Sequence, residues 1–350
     1  MPTFCRHNRF IERCPICSKT LPGNAEADRP PRARSSSTRT GSDGQRAARS
    51  RTHGQGRHMR VQREARAVDD GYRSELVPGL RASADAYRLA EELAFASDRL
   101  LTLAAQPPEL YGELRALGAQ DLERATWGCF LIAYLCPLEG EDPWVGIRAV
   151  IETTPEPPIS ADQLPDLAEV PLGPYSSHEP TRGADTLIAY TQWAQRAAET
   201  GEPAPGAASA GTQARAFNGD SVWSPERRFE RLFERLALPG LARIGRYELL
   251  VVLGRLGLYE LLPDSLQLAG ARGLAGDDPT TLAAKRVFGI GDPLLLERRA
   301  AALAQEAGLP IDALDLALAN WAAPRPATLG FSREGADADA FERVGAALGL

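Results

Sequence analysis

The sequence predicts a mainly α-helical protein. From about residue 80 onward, apolar residues recur at spacings of three and four, as at Leu89, Leu93 and Ala96. Helix-start signals, such as Ser224-Pro225, stand before some of these stretches. Alternating strand patterns are nearly absent, with a possible short strand over residues 145–152 as the exception. A hydrophobic content of 43% and a charged content of 25% are typical of a soluble globular protein.

Periodicity and turn residues place the individual helices. The apolar run from Trp127 to Leu138 is too short to cross a bilayer and predicts a buried helix. The predicted helices span residues 80–103, 121–136, 185–199, the stretch opened by Ser224-Pro225, 246–262, 280–287, 293–307 and 311–322. We therefore expect one helical domain over residues 71–350.

The N-terminus carries metal-ligand residues in close pairs. Cys5, His7, Cys14 and Cys17 stand in the pattern C-x-H, six residues, C-x-x-C. Four such ligands, with a turn between the last two, suit tetrahedral structural Zn²⁺. Two alternatives are chance cysteines and a redox C-x-x-C, although no thioredoxin-like context surrounds the motif. We expect residues 1–20 to form a small zinc module.

The next segment, residues 21–70, is expected to be a disordered linker. Residues 22–68 contain 11 arginines and almost no large apolar side chain, so they cannot repay the entropy of ordering. Residues 1–68 hold 15 basic and 5 acidic residues, whereas residues 69–350 hold 25 and 41. A basic segment attached to an acidic domain can bind nucleic acid or can bind that domain itself, and the sequence does not show which of these contacts forms.

The sequence around residue 290 has the layout of a helix-hairpin-helix motif. We expect the helix-hairpin-helix-like part of the helical domain to span about residues 224–323. The turn Gly289-Ile290-Gly291 joins two predicted helices, and Asp292-Pro293 starts the second. Glycines let a backbone approach a phosphate, and the amides of the next helix then face the anion. Arg298 and Arg299 add charge on that helix. A purely structural corner between two helices would have the same pattern.

Three further residues stand near this hairpin. Lys285 is the only lysine after residue 68 and directly precedes the turn. Asp312 and Asp315 follow the second helix. Capping of the next helix explains Asp312, so Asp315 is the better functional candidate, although it could also lie on a polar helix face.

Four segments together resemble a known family. FCRHNRFIERCPICSKTL, RGADTLIAYTQWA, AFNGDSVWSPERRFERLFERLALPG and the pair AKRVFGIGD and ALDLALANW are similar to the third clade of the α-glutamyl/putrescinyl thymine pyrophosphorylase proteins. That group is regarded as a distant relative of helix-hairpin-helix DNA glycosylases. In related clades, an amine such as glutamate or putrescine displaces pyrophosphate from an activated 5-hydroxymethyluracil in DNA.

The resemblance implies a DNA base-modifying enzyme with DNA as a partner and an amine as a possible co-substrate. The residues that it carries over are the zinc candidates, the hairpin glycines Gly289 and Gly291, and Asp315. The chemistry itself needs a carboxylate to accept the proton of the amine, for which Asp315 is the candidate, and cations beside the departing pyrophosphate, for which Lys285 and nearby arginines are candidates. A base flipped from the duplex needs a pocket, for which Trp193, Trp223 and Trp321 are stacking candidates, unless they pack in the core.

The sequence also allows other functions, and it bears on the cellular location of the protein. An alternative function is a non-catalytic, zinc-containing nucleic-acid-binding or adaptor protein, and a further one is a helical domain that docks a protein partner. The polar N-terminus lacks the apolar core of a secretory signal, so we expect a cytoplasmic protein without a membrane segment.

Overall fold

The computed structural model describes residues 67–179, 182–200, 211–268, 278–334 and 338–350. The proposed zinc ligands and nearly all of the arginine-rich linker lie outside these ranges. The described residues form α-helices joined by turns, with one short 3-10 turn and no β-strand. The helices are α1 (Ser83–Ala105), α2 (Glu109–Gly118), α3 (Leu122–Leu135), α4 (Val145–Thr153), α5 (Gly183–Thr200), α6 (Thr212–Asn218), α7 (Pro225–Arg235), α8 (Arg243–Arg255), α9 (Pro279–Phe288), α10 (Pro293–Glu306), α11 (Ala313–Ala322) and α12 (Ala338–Leu348).

Helix α1 is the longest described helix and packs against α11 and α12. Its predicted apolar face is confirmed, because Leu89, Leu93 and Leu100 are all buried. The carboxylate of Asp70 accepts hydrogen bonds from the backbone N–H and the hydroxyl of Ser83, at the first residue of the helix. This contact fixes the entry of the chain into α1, since helix N-termini carry amides without partners inside the helix.

Helices α3 and α8 pack against each other in the interior. The apolar run of α3 is buried, as its sequence predicts, and it carries Trp127 and Phe130 in a parallel stack with 5.4 Å between ring centroids. Tyr190 of α5 stacks on Phe130 at 3.8 Å. The indole N–H of Trp127 donates to the carbonyl of Thr154, so its burial leaves no polar group unpaired.

The strand predicted over residues 145–152 is wrong. This stretch is helix α4, although Val145, Ile147, Val150 and Ile151 have β-branched side chains. Ile147 and Val150 are buried at a spacing of three, the period of one helical face. Burial of that face overrides the weak local preference of β-branched residues for strands.

The cap signal at Ser224-Pro225 locates the start of α7 correctly. The hydroxyl of Ser224 accepts from the N–H of Arg227 at 3.3 Å, and Pro225 is the first residue of α7. Asp278 caps α9 in the same manner, through the N–H of Thr281 at 2.8 Å. Helices α2, α6 and α12 were not predicted.

No helix within the described ranges combines the length and the apolar character needed to cross a membrane.

The segment before α1 packs closely on the turn between α9 and α10. The N–H of Gly79 donates to the carbonyl of Val287 at 2.9 Å. A Cβ at Gly79 would collide with the backbone carbonyl of Arg286 and would lie 2.7 Å from the amide nitrogen of Gly289. Both neighbours are backbone atoms, so neither can rotate away.

Replacing Gly79 by Ala is therefore expected to lower the free energy of unfolding by about 1–3 kcal/mol, because the methyl group forces two backbone segments apart. Urea unfolding followed by circular dichroism measures the change. Gly291→Ala is the matched control: an added Cβ there meets nothing within 4 Å, so its stability should stay within about 0.5 kcal/mol of wild type. Equal effects of the two substitutions would contradict the close packing at Gly79.

Candidate functional site

The predicted hairpin consists of α9, a four-residue turn and α10. Gly289 ends α9 in the left-handed conformation with φ of 64°, which only glycine adopts without strain. The carboxylate of Asp292 accepts from the N–H groups of Leu294 and Leu295, at 3.0 and 3.1 Å, and Pro293 starts α10. This local geometry agrees with the cap residues read from the sequence. The contact of the hairpin with DNA stays a prediction.

The charged residues proposed for the hairpin lie at its surface. Arg298 is exposed, whereas Arg299 is half-buried and donates to the carbonyl of Glu75 at 3.3 Å. Lys285 is half-buried in the last turn of α9. Gly291 is exposed, with open space where a side chain would stand.

A cavity lies elsewhere, between α3, α8 and α11. The cavity has about 20 Å³ of space for the centre of a water molecule, and the figure rises to about 370 Å³ only when all empty space, including open solvent, is counted. Its walls combine apolar side chains with five that carry polar groups. The apolar ones are Ile132, Ala133, Pro137, Ile244, Leu316 and Leu329, and the polar ones are Tyr111, Cys136, Tyr175, Glu248 and Asp315. This mixture of apolar and converging polar side chains is typical of small-molecule sites, but a ligand larger than a water molecule has to displace part of the wall.

Two residues of the cavity wall have unusual backbone conformations. Cys136 has φ of 62° and Leu329 has φ of 53°, in a region that L-residues with side chains rarely adopt. Such conformations persist only where the surrounding structure enforces them, and they concentrate at functional sites. Two of the four described non-glycine residues with positive φ therefore stand at this cavity, whereas the other two, Glu109 and Gln267, do not line it.

Arg243 organises the carboxylates on one side of the cavity. Its guanidinium donates to Asp278 at 2.9 Å, to the hydroxyl of Thr280 at 2.8 Å, to the carbonyl of Leu266 at 3.0 Å, and to the Oδ1 of Asp315. The side chain of Arg243 is 2% exposed, and that of Asp315 is 7% exposed. One buried guanidinium is thus shared by two carboxylates.

The environment of Asp315 makes its carboxyl a stronger base than usual. Burial raises its pKa from the ordinary 3.8 to about 6, and the negative charge of Asp278 acts in the same direction. The guanidinium of Arg243 opposes this shift. A carboxylate with a pKa close to neutrality is suited to accept a proton in a reaction.

A second buried ion pair stands behind the cavity. Arg99 of α1 donates to both carboxylate oxygens of Glu248, with one N–O distance of 3.3 Å. The side chain of Arg99 is 2% exposed and that of Glu248 is 15% exposed. Glu248 therefore faces the cavity, while its counterion is hidden from it.

A chain of hydrogen bonds holds Tyr175 at the cavity. The hydroxyl of Tyr175 donates to Oδ1 of Asn320 at 2.8 Å. The amide nitrogen of Asn320 donates to Glu92 at 3.0 Å, and Arg333 pairs with both oxygens of Glu92 at 3.0 and 2.8 Å. Asn320 is fully buried, so the position of Tyr175 is fixed from inside the fold.

The interpretation of Asp312 as a helix cap is wrong. Asp312 does precede α11, but its side chain makes no capping hydrogen bond. Instead, both of its oxygens accept from Arg255 of α8, at 2.7 to 2.9 Å. Asp312 is buried in an ion pair and does not line the cavity.

The residues proposed from sequence do not meet at one place. Asp315 lines the cavity, but neither Lys285 nor a tryptophan does. Trp193 is buried in the core against Tyr190, with 5.7 Å between ring centroids. Trp223 is half-buried under the guanidinium of Arg235, and the indole N–H of Trp321 donates to the carbonyl of Asp85.

The described ranges contain no group of three or more His, Cys, Asp or Glu residues that could hold a metal ion. The zinc ligands proposed at Cys5, His7, Cys14 and Cys17 fall outside those ranges, so the zinc site stays a prediction.

Sequence reasoning missed most of the polar cavity residues. Glu248, and Arg243 behind the wall, had a signal, because they stand with Arg246 as the charged residues of the otherwise apolar stretch LARIGRYELLVVL. Such charges, when buried, need partners from other segments. Tyr111 and Tyr175 had no local signal, since tyrosines also occur in cores and on surfaces.

Replacing Asp315 by Asn is expected to change how stability depends on pH. Because the folded-state pKa is raised to about 6 from the ordinary 3.8, the folded protein binds this proton more tightly than the unfolded chain. The stabilisation is complete below pH 4 and is lost as the pH rises to about 6. The free energy of unfolding of wild type, minus that of Asp315→Asn, should therefore fall between those pH values.

Urea unfolding at intervals between pH 4 and pH 7 measures this difference. Subtracting the variant removes contributions from Asp312 and Glu297, whose pKa values burial also raises. A difference that is constant over the range would contradict the raised pKa of Asp315.

A match to a known protein family covers about half of the residues that line the cavity. No curated protein and no solved structure matches the chain. Glu248 and Asp315 fall between residues 184 and 329, whereas Tyr111, Cys136 and Tyr175 precede this segment. Residues 184–329 match the family model of alpha-glutamyl/putrescinyl thymine pyrophosphorylase clade 3, which confirms for this segment the family that the sequence resembles.

Proposed function

We propose that this protein is a DNA base-modifying enzyme of thymine hypermodification, with its reaction centre at the cavity between α3, α8 and α11. The observation that carries the proposal is Asp315, a buried carboxylate with a raised pKa that faces the cavity from within the matched segment. The family's description names thymine pyrophosphorylases, and a base-modifying reaction needs a pocket with an acid–base group.

In its specific form, the reaction transfers an amine onto a pyrophosphorylated hydroxymethyluracil that is flipped out of the duplex. The amine nitrogen forms a bond to the methylene carbon on C5 of the base. The bond between that carbon and the pyrophosphate oxygen breaks, and pyrophosphate leaves with the electron pair. The surplus proton on nitrogen passes to the carboxylate of Asp315. Asp315 is therefore assigned as the general base.

Binding of the DNA itself is assigned to surfaces outside the cavity. The exposed turn with Gly289 and Gly291, together with Arg298 and Arg299, is the candidate for a phosphate contact. Residues 69–350 are acidic overall, so non-specific attraction to the duplex would come from the arginine-rich N-terminal segment. Lys285 or these arginines would neutralise charge on the departing pyrophosphate.

The N-terminal cysteines are assigned a structural role. Cys5, His7, Cys14 and Cys17 would close a tetrahedral Zn²⁺ site with four protein ligands. Such a site has no open coordination position, so it supports folding of the N-terminal module and takes no part in the reaction.

Asp315→Asn is expected to lower the rate of base modification by about 10²- to 10⁴-fold, since the amide accepts no proton. The assay incubates the full chain with an amine and DNA that contains hydroxymethyluracil or its pyrophosphate ester. Digestion to nucleosides and mass spectrometry then reveal any altered base.

Asp312→Asn is the matched control. It removes a carboxylate of the same helix that is also buried against an arginine of α8, but outside the cavity. Activity close to that of wild type is expected for this variant. If no base is altered by wild type, and if Asp315→Asn and wild type bind DNA equally, the enzyme assignment fails in favour of a non-catalytic nucleic-acid-binding protein.

A further inference from the structure

The cavity between α3, α8 and α11 has room for about one water molecule, so a base can enter only if part of the wall moves. Most of the lining residues lie in helices α2, α3, α8 and α11. Cys136 ends α3, and its carbonyl accepts from the N–H of Gly173 at 3.1 Å. Tyr175 is bound to the buried Asn320. Movement of any of these parts would disrupt helix packing or buried hydrogen bonds.

Residues 328–332, which follow α11, cover the cavity from the surface. Leu329 lines the cavity and is 5% exposed. Thr328 and Gly330 on either side of it are half-buried, and Ser332 is exposed. An outward movement of this segment would open the cavity without moving a helix.

The attachment of this segment to the rest of the fold is weak. In the part of the chain that the structure describes, it makes no backbone–backbone hydrogen bond to another element. The N–H of Thr328 donates to the exposed Glu139 at 2.7 Å, and the hydroxyl of Tyr111 donates to the carbonyl of Leu329 at 3.2 Å. Phe331 packs on Tyr111 with 5.5 Å between ring centroids. Opening therefore breaks side-chain contacts and no secondary structure.

The residues on both sides of the segment are firmly held. The N–H and the carbonyl of Ala327 bind the side-chain amide of Asn320, at 2.8 and 2.9 Å. Arg333 donates to both oxygens of Glu92 at 3.0 and 2.8 Å, and Asn320 donates to the same carboxylate at 3.0 Å. Both ends are thus fixed to one buried group, which defines two hinge points.

The closed conformation of the segment is also strained. Leu329 has φ of 53°, a conformation that residues with side chains rarely adopt, and Gly330 follows with φ of 81°. From the position, the weak attachment, the fixed ends and this strain, we propose that residues 328–332 form a lid, which opens to admit a ligand and closes over it.

The lid deepens the proposed function, on which it rests for the identity of the ligand. A base flipped from DNA enters while the lid is open. The closed lid keeps bulk water from the carbon that the amine attacks, since water would otherwise displace pyrophosphate in place of the amine.

Alkylation of the native, full-length protein by iodoacetamide, without DNA, tests the lid. Cys136 lines the cavity, whereas Cys129 is fully buried in α3 and does not. Burial raises the pKa of both thiols, so neither reacts while the fold is closed. Opening of the lid exposes Cys136 alone, and Cys129 reacts only after unfolding of the domain. We expect Cys136 to react at least tenfold faster than Cys129.

Digestion with chymotrypsin separates the two cysteines, because Phe130 and Tyr134 lie between them, and mass spectrometry then gives each rate. Equal rates at Cys129 and Cys136 would overturn the proposal, because both thiols would then report unfolding of the whole domain.

Gly330→Ala is expected to favour the open lid. An added Cβ would collide with the indole ring of Trp144, which Glu109 holds in place, and alanine is strained at this φ. Alkylation of Cys136 should therefore become at least tenfold faster, while that of Cys129 stays unchanged. An unchanged rate at Cys136, or an equal rise at both cysteines, would contradict the lid.

Gly349→Ala is the matched control. Gly349 directly follows α12 with φ of 78°, and an added Cβ there meets nothing within 4 Å. The same backbone strain outside the cavity wall should leave the rate at Cys136 close to that of wild type, and an equal rise in both glycine variants would contradict the lid. If Gly330→Ala fails to fold, the wild-type comparison of Cys136 with Cys129 decides alone.

This outcome is independent of the modification assay. Faster alkylation of Cys136 without any altered base would retain the lid and reject the proposed reaction. An altered base with equal alkylation of both cysteines would retain the reaction and reject the lid.

Discussion

The architecture around the cavity depends on buried charge on a single helix. Helix α8 carries Arg243, Glu248 and Arg255, which pair with Asp315, Arg99 and Asp312 from α11 and α1. A buried charge without a partner is strongly destabilising, so each pair requires its helices to meet in one register. The same pairs leave two carboxylates facing the cavity. The constraint that orients α1, α8 and α11 therefore also sets the chemistry of the candidate site.

This arrangement explains why Asp312, directly before α11, and Asp315, in its first turn, differ although they are three residues apart. Asp312 forms a bidentate ion pair with Arg255. Asp315 shares Arg243 with Asp278 and lines a cavity. Asp315 is thus less completely neutralised than Asp312 and lies beside empty space, which makes Asp315 the better candidate for a group that acts on a ligand.

Sequence reasoning predicted the features that depend on local patterns. The apolar face of α1 and the caps at Ser224 and Asp292 follow from spacing and side-chain type. Sequence reasoning was wrong where contacts with distant residues determine the structure. Segment α4 is helical because one of its faces is buried, and Asp312 pairs with an arginine 57 positions earlier in the chain. The cavity itself was beyond prediction, since its wall combines segments from Tyr111 to Leu329 that no local pattern connects.

The central claim is that base modification takes place in this cavity. A crystal structure of the Asp315→Asn protein with a duplex containing one hydroxymethyluracil tests it most directly. The account predicts the flipped base at this cavity, beside residue 315. Density for the base at a separate pocket, with the space between α8 and α11 unoccupied, would contradict it.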